Sequence, residues 1–283
     1  MTDTPPEPKP DSPLVTRLFP SPNHGPRNGG RGGEARHPDS VILHYTGMAD
    51  ASSALLWLAN PIAQVSAHYF VFEDGRIFQL VPESRRAWHA GRGIWRGETD
   101  MNSASIGIEI AHPGHDLGRP FGPNGQPLPL PEGASANPYP PPGPPFPDAQ
   151  IDAVIRLVAD IQARWSIPNH RILAHADIAP GRKIDPGETF PWEKLAAAGV
   201  GLWPSSVPAT PGPAYRRGDE GMPLAALQSL FATFGYGIEI TGVFDERMEA
   251  VVAAFQRHWR PARVDGVADG ETIQRLRALA AMM

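Results

Sequence analysis

The chain has 283 residues, enough for two domains, and its 25 Lys+Arg against 30 Asp+Glu leave a net charge of −5. That mild acidity supplies no basic excess for nucleic acid or anionic lipid. The absence of cysteine excludes disulfides, thiolate nucleophiles, thiolate metal sites and a lipidated N-terminal cysteine.

Of the 34 prolines, nine fall in residues 1–38 and thirteen in 113–147, so two Pro-rich segments decorate a chain of otherwise ordinary composition. Residues 1–38 are polar, Pro/Gly-rich and aperiodic, which predicts an extended arm. They carry no basic stretch followed by an apolar one, and no apolar run approaches the roughly 18–20 residues of a membrane span. The expectation is a chain without membrane insertion that stays in the cytoplasm, with a periplasmic location as the alternative.

Structure is expected to begin at Ser40–Tyr45, an apolar run that reads as a buried strand and carries His44 near its end. Asp50, Ser52 and Ser53 offer N-caps for a helix through 54–59, which Pro61 stops. Runs at 67–72 and 76–80 flank Asp74-Gly75, a two-residue hairpin signal. Ser105–Ile110 alternates strictly, with Ile106, Ile108 and Ile110 on one face and Gly107 and Glu109 on the other. The insert 113–147 can form neither helix nor sheet, because proline fixes φ and removes donors. Asp148 then caps an amphipathic helix with Ile151, Val154, Ile155, Val158, Ile161 and Trp165 at helical spacing. A short strand at 171–175 again ends in a histidine, His175, and 192–198 reads as a last short helix. Residues 39–202 thus form an α/β domain, a central mixed β-sheet flanked by helices.

Residues 203–215 are a Pro/Ser linker. The remainder, 216–283, shows helical spacing at Leu224, Leu227, Leu230 and Phe231 and again at Met248, Val251, Val252 and Phe255. Gly242-Val243-Phe244-Asp245 is echoed 24 residues on by Gly266-Val267-Ala268-Asp269, each a turn before a helix. This predicts a small all-α three-helix module that binds rather than catalyses. With its own core, it would leave residues 1–205 able to fold alone.

Ten histidines need sorting, and His44 and His175 stand out because both end expected core strands, where side chains emerge onto a rim. His175 also opens a turn-rich loop that returns Lys183 and Asp185 toward the strand end. Two imidazoles, a carboxylate and no thiolate suit one catalytic zinc per chain, with three protein ligands and a fourth position for water. Such a site needs a base and a positive group for the developing oxyanion. Glu109 fits the first role and Lys183 the second. A solvated strand carboxylate and a surface lysine are the plainer alternatives for these two.

The segments His175-Ala-Asp-Ile-Ala-Pro-Gly-Arg-Lys183-Ile-Asp185-Pro-Gly, Ile42-Leu43-His44-Tyr45-Thr46, Ser66-Ala67-His68-Tyr69, Ala87-Trp88-His89-Ala90-Gly91 and Asn102-Ser-Ala-Ser-Ile-Gly-Ile-Glu109 together resemble the zinc-dependent N-acetylmuramoyl-L-alanine amidases. The resemblance runs over roughly 40–200 and implies the fold of the peptidoglycan-recognition proteins. It implies zinc on His44, His175 and Asp185, with Glu109 as base and Lys183 on the oxyanion. Where some relatives carry a tyrosine, this chain has Ala67, and the long insert departs from the family pattern. Arg86, Trp88, His89 and Asn102 are expected to line the substrate groove. Leu227-Gln228, Gly235-Tyr236, Gly242–Asp245, Phe255-Gln256 and Val264-Asp265-Gly266 are similar to the three-helix peptidoglycan-binding domain. The implied activity is hydrolysis of the amide between N-acetylmuramic acid, or its 1,6-anhydro form, and L-alanine of the stem peptide, in cell-wall recycling. The alternatives are an amidase remodelling intact peptidoglycan outside the cytoplasm, or a non-catalytic peptidoglycan receptor. The partner is peptidoglycan or a muropeptide, and the oligomeric state is left open.

Overall fold

The computed structural model describes residues 9–29, 36–115, 139–204, 207 and 212–283. Among these residues eight strands fall in chain order: β1 (Arg17–Leu18), β2 (His24–Pro26), β3 (Ser40–Tyr45), β4 (Tyr69–Val71), β5 (Ile77–Gln79), β6 (Arg85–Ala87), β7 (Ser105–Ile110) and β8 (Ile172–Ala174). The α-helices are α1 (Ala51–Leu58), α2 (Met101–Ala104), α3 (Asp148–Trp165), α4 (His175–Ile178), α5 (Trp192–Ala197), α6 (Met222–Phe234), α7 (Glu246–Trp259) and α8 (Gly270–Ala281). Six of them form one mixed sheet in the order β1-β5-β4-β7-β3-β8, while β2 and β6 pair as a separate antiparallel ribbon. The β4–β7–β3–β8 block is parallel throughout, and β4–β5 is the antiparallel hairpin expected around Asp74-Gly75.

The sheet is covered on both faces, as a parallel sheet must be. Along β4, Tyr69 and Val71 enter the core under α3 (Asp148–Trp165), whereas Phe70 joins a second apolar cluster with Leu55 and Leu58 of α1 (Ala51–Leu58). The period of two in the strand thus feeds two helical layers. Asp50 caps α1 through the Ser53 N–H at 2.6 Å. On α3 the cap position belongs to Pro147 and not to Asp148, which lies in the first turn and pairs with Lys194 at 3.0 Å.

Two further expectations are corrected. Residues 9–29 are not an aperiodic arm: β1 extends the sheet edge, and Arg27 is buried with its guanidinium donating to the carbonyls of Glu83, Ser103 and Ser105 at 2.8–2.9 Å. Five prolines and two glycines between 9 and 29 obscure the pattern, but strands this short need no periodicity. Residues 1–8 and 30–35 of the expected arm lie outside the described residues. The described ends of the insert, 113–115 and 139–147, hold neither helix nor strand, as expected, and they are anchored to the domain: His112 stacks on Phe146 with ring centroids 3.8 Å apart, and its Nε2 lies 2.8 Å from the Pro144 carbonyl. Residues 116–138 lie outside the described residues.

The second correction concerns the C-terminal helices α6 (Met222–Phe234), α7 (Glu246–Trp259) and α8 (Gly270–Ala281), which do not keep a core to themselves. Their Phe231, Phe234, Tyr236, Phe255 and Trp259 belong to the same continuous apolar core as Trp95, Phe190, Trp192 and the α3 face. Apolar side chains distant in sequence found each other across the linker, and no periodicity within either segment reports that. Much of the linker, 205–206 and 208–211, lies outside the described residues. The echoed turns do share one physical device. Gln228 accepts from the N–H groups of Thr241 and Gly242, Gln256 from those of Asp265 and Gly266, and Asp245 and Asp269 then cap α7 and α8.

Candidate active site

The site grows from the C-terminal ends of parallel strands, where open α/β sheets place ligands. His44 and Glu109 stand opposite one another in the β3–β7 register, and His175 follows β8 directly as the first residue of the short helix α4 (His175–Ile178). The loop after α4 brings back Asp185, whose Oδ2 lies 3.1 Å from His44 Nδ1 and 3.0 Å from His175 Nδ1. The two Nδ1 atoms are themselves 2.9 Å apart. All three residues are buried.

The hydrogen bonds behind these atoms fix which way they point. His175 Nε2 donates to the Ala90 carbonyl at 3.0 Å, so a neutral ring turns a lone pair on Nδ1 into the cluster. His44 Nε2 lies 3.0 Å from His89 Nδ1, and His89 Nε2 lies 3.4 Å from Ser105 Oγ, whose own hydrogen goes to the Met101 carbonyl. A proton on each Nε2 satisfies that whole chain and leaves a lone pair on His44 Nδ1 as well. Two imidazole lone pairs and a carboxylate oxygen converging at 3 Å repel one another unless a cation lies between them. Ligand atoms about 2.0–2.2 Å from a tetrahedral zinc would stand roughly 3.4 Å apart, close to the spacing here. The donor set therefore fits zinc.

The electrostatics agree. Burial, and then the neighbouring His175, push His44 down to about 4, so its ring is neutral and able to ligate at neutral pH. Burial alone would raise Asp185, but His175 and His44 hold its carboxyl well below the usual range. Glu109 moves the other way: burial, followed by the Asp185 charge, raises it to about 8, with Lys183 opposing. Its Oε2 is shut off from solvent and has no hydrogen-bond partner among the described residues. A buried, partnerless carboxylate oxygen costs about 1–3 kcal/mol, so Glu109 is held in place at the expense of stability. Lys183 is half-buried, and its charge acts on both Glu109 and His44.

The expected groove residues divide. His89 and Asn102 are both buried: Asn102 Oδ1 accepts from the N–H groups of His89 and Ala90 at 2.9 and 2.8 Å, and His89 supports His44. Their bonds run behind the cluster, His89 to His44 Nε2 and Asn102 to the backbone of 89 and 90. Arg86 on β6 pairs with Asp100 at 2.9 Å, and no bond joins it to the cluster. Trp88 is half-buried, its N–H bonded to Ser66 Oγ at 2.9 Å. Several supporting groups escaped the sequence reading. The Ala90 carbonyl carries no side-chain signal at all. Gly107 carried one, a glycine inside a strand, which marks close approach. A Cβ there would come within 2.4 Å of the His89 ring.

Residues 34–188 match the family described as N-acetylmuramoyl-L-alanine amidase. The chain belongs to the N-acetylmuramoyl-L-alanine amidase family. Residues 221–276 match a peptidoglycan binding domain family. The amidase AmiD of Escherichia coli K12 is 38% identical over 82% of this chain and 78% of its own length. The 1,6-anhydro-N-acetylmuramyl-L-alanine amidase AmpD of Enterobacter cloacae is 27% identical over 64% of this chain and 88% of its own. Among solved structures, the E. coli AmiD complex with anhydro-N-acetylmuramic acid-L-Ala-D-γ-Glu-L-Lys superposes with a TM-score of 0.68 at 34% identity, covering 90% of this chain and 93% of that one. AmpDh3 of Pseudomonas aeruginosa with an anhydromuramic pentapeptide gives 0.67 at 28% identity, covering 90% and 95%. The family's mixed sheet with flanking helices and the helical C-terminal region are both present here, as expected from the sequence. No helix among the described residues of this amidase is long and apolar enough to cross a membrane.

Proposed function

We propose that this amidase hydrolyses the amide between the lactyl group of N-acetylmuramic acid, or of its 1,6-anhydro form, and L-alanine of the stem peptide. The observation that carries the reading is the convergence of His44, His175 and Asp185 beside a partnerless Glu109 in register with His44. His44, His175 and Asp185 would hold one zinc ion, which when bound supplies a Lewis acid for the scissile carbonyl and lowers the pKa of water. A cation held by the cluster would offset the Asp185 charge that helps raise Glu109 and so favour its ionised form. Glu109 then takes a proton from the attacking water as its oxygen adds to the carbonyl carbon, and returns it to the leaving nitrogen as the C–N bond breaks. Lys183 stabilises the negative charge gathering on the carbonyl oxygen. A carboxylic acid and a free L-alanine amine result. A receptor that only binds would have no use for a complete ligand set with an unpartnered carboxylate beside it.

The anhydro-muropeptide specificity or ligands of these relatives support a recycling role on a soluble substrate, and with it a cytoplasmic location. The match over 221–276 favours a second reading, action on intact peptidoglycan outside the cytoplasm. Product analysis on soluble anhydro-muropeptides against intact sacculi separates the two. Recycling predicts release of free stem peptide chiefly from the soluble substrate and co-fractionation with cytoplasmic markers. Equal or faster release from sacculi would overturn it.

A further inference from the structure

Asp177 lies two residues beyond His175 and is completely buried. One of its bonds is local: Oδ2 accepts the Ala174 N–H at 2.8 Å and so fixes the turn in which His175 enters α4. Its other partners come from the C-terminal unit. Tyr236 donates its hydroxyl to Oδ1 at 2.8 Å, and His258 Nδ1 donates to Oδ2 at 2.7 Å. His258 is itself held between Trp192 and Trp259, with ring centroids 3.6 Å away on each side. A carboxylate inside a core needs donors on both oxygens, and here the second oxygen's donor comes wholly from across the linker.

The same unit grips the loop that orients His175 from the other side. Ala90, whose carbonyl holds His175 Nε2, leads into a loop whose Trp95 ring packs on Tyr236 at 5.1 Å. The Ile94 N–H donates to Ile178 at the end of α4, and the Arg96 N–H to Gly235, each at 2.8 Å. A Cβ on Gly235 would reach within 2.5 Å of the Trp95 ring. The fit leaves no slack.

We propose that Tyr236 and His258 are positioning residues for His175, acting through Asp177, so that the C-terminal unit completes the metal-binding loop as well as contacting the wall. This rests on the reading of His175 as a metal ligand. Outer-shell partners of ligating histidines set metal affinity by holding the ring in place. Tyr236 and His258 do so at one further remove, by fixing the turn from which the ring projects.

The test uses the full chain with zinc and, for a spectrum, cobalt. Tyr236→Phe and His258→Phe each delete one donor and keep an aromatic ring, and His258→Asn returns an N–H near the position of Nδ1. The zinc dissociation constant, by chelator competition, should rise about tenfold in both Phe variants and move back in His258→Asn. The visible bands of the cobalt form should shift, and kcat on a soluble anhydro-muropeptide should fall with KM unchanged. Retention on insoluble peptidoglycan should stay as in the parent protein. In metal-free protein, exchange of the Ala174 amide, which bonds Asp177, should accelerate in the Phe variants whatever the enzyme's substrate. Should His258→Phe not fold, Tyr236→Phe carries the same measurements with the loss of a single oxygen. Folded variants with parental zinc affinity, cobalt spectrum and Ala174 protection would overturn the positioning role. A parent protein that bound no zinc and cleaved no muropeptide would instead overturn the functional reading, and Ala174 exchange would still decide the clamp.

Discussion

The site has two halves held in different ways. His44 and Glu109 sit on β3 and β7, adjacent strands at the centre of a six-stranded sheet, and the backbone ladder on either side sets their spacing. His175, Lys183 and Asp185 sit on or beside a loop that no ladder holds. That loop is fixed by individual side-chain and carbonyl contacts: Ala90 to His175, Tyr236 and His258 to Asp177, and Arg257 to Glu188 at 2.9 Å. A sheet positions by many small identical bonds, so its residues tolerate loss of any one. A loop positioned by a few specific bonds is where a remote element can intervene.

The largest expected effect strikes both halves at once and then tells them apart. Asp185→Ala removes the proposed loop-borne ligand, so metal content and turnover should fall together. Glu109→Ala, on the strand side, should keep its metal while kcat falls by about 10²–10⁴-fold. Zinc content and rate measured on the same preparations check both. A Glu109→Ala protein with parental kcat would mean another group moves the proton, and the strand half would lose its catalytic role.

Lys183→Ala should come next, losing about 10²–10³-fold in kcat with zinc retained, by analogy with removal of an oxyanion donor. Loss of metal along with rate would instead make Lys183 part of the loop's scaffold. On the strand side, Gly107→Ala drives a methyl group into the His89 ring and should destabilise the fold by about 1–3 kcal/mol, read by urea unfolding. A neutral outcome would show that His89 can move away and that the strand half is less rigid than its ladder implies.

The smallest effect is a slope. His68 is buried, accepts the Gly107 N–H at 2.9 Å, and has its pKa depressed well below 6.5 by burial and then by the Arg27 charge. A depressed histidine stays neutral in the native state while the unfolded chain protonates, so its contribution is complete above pH 6.5 and is lost as pH falls below it. Between pH 6 and pH 5 it contributes up to about 1.4 kcal/mol per pH unit. Unfolding of metal-free His68→Gln should show a correspondingly shallower acid slope than the parent. Equal slopes would place the acid sensitivity elsewhere.

Alternation in Ser105–Ile110, the apolar run of Ser40–Tyr45 and the helical spacing of α3 are local periodicities, so the sheet, its covering helix and the strand-borne His44 and Glu109 were legible from the residues alone. The loop set of His175, Lys183 and Asp185 was legible because those residues are close in sequence and share one turn-rich segment. The order of the strands, the burial of residues 9–29 and the bonds that orient each ligand ring were not. Arg27 reaches carbonyls 56–78 residues away, and the partners of Asp177 lie 59 and 81 residues off. Nothing in a window of ten or twenty residues encodes such a pairing. Composition and periodicity determine which groups are available and which face of an element they occupy. Only packing decides which buried oxygen must find its donor on the far side of the linker, because an unsatisfied polar group in a core costs more than the reach needed to satisfy it.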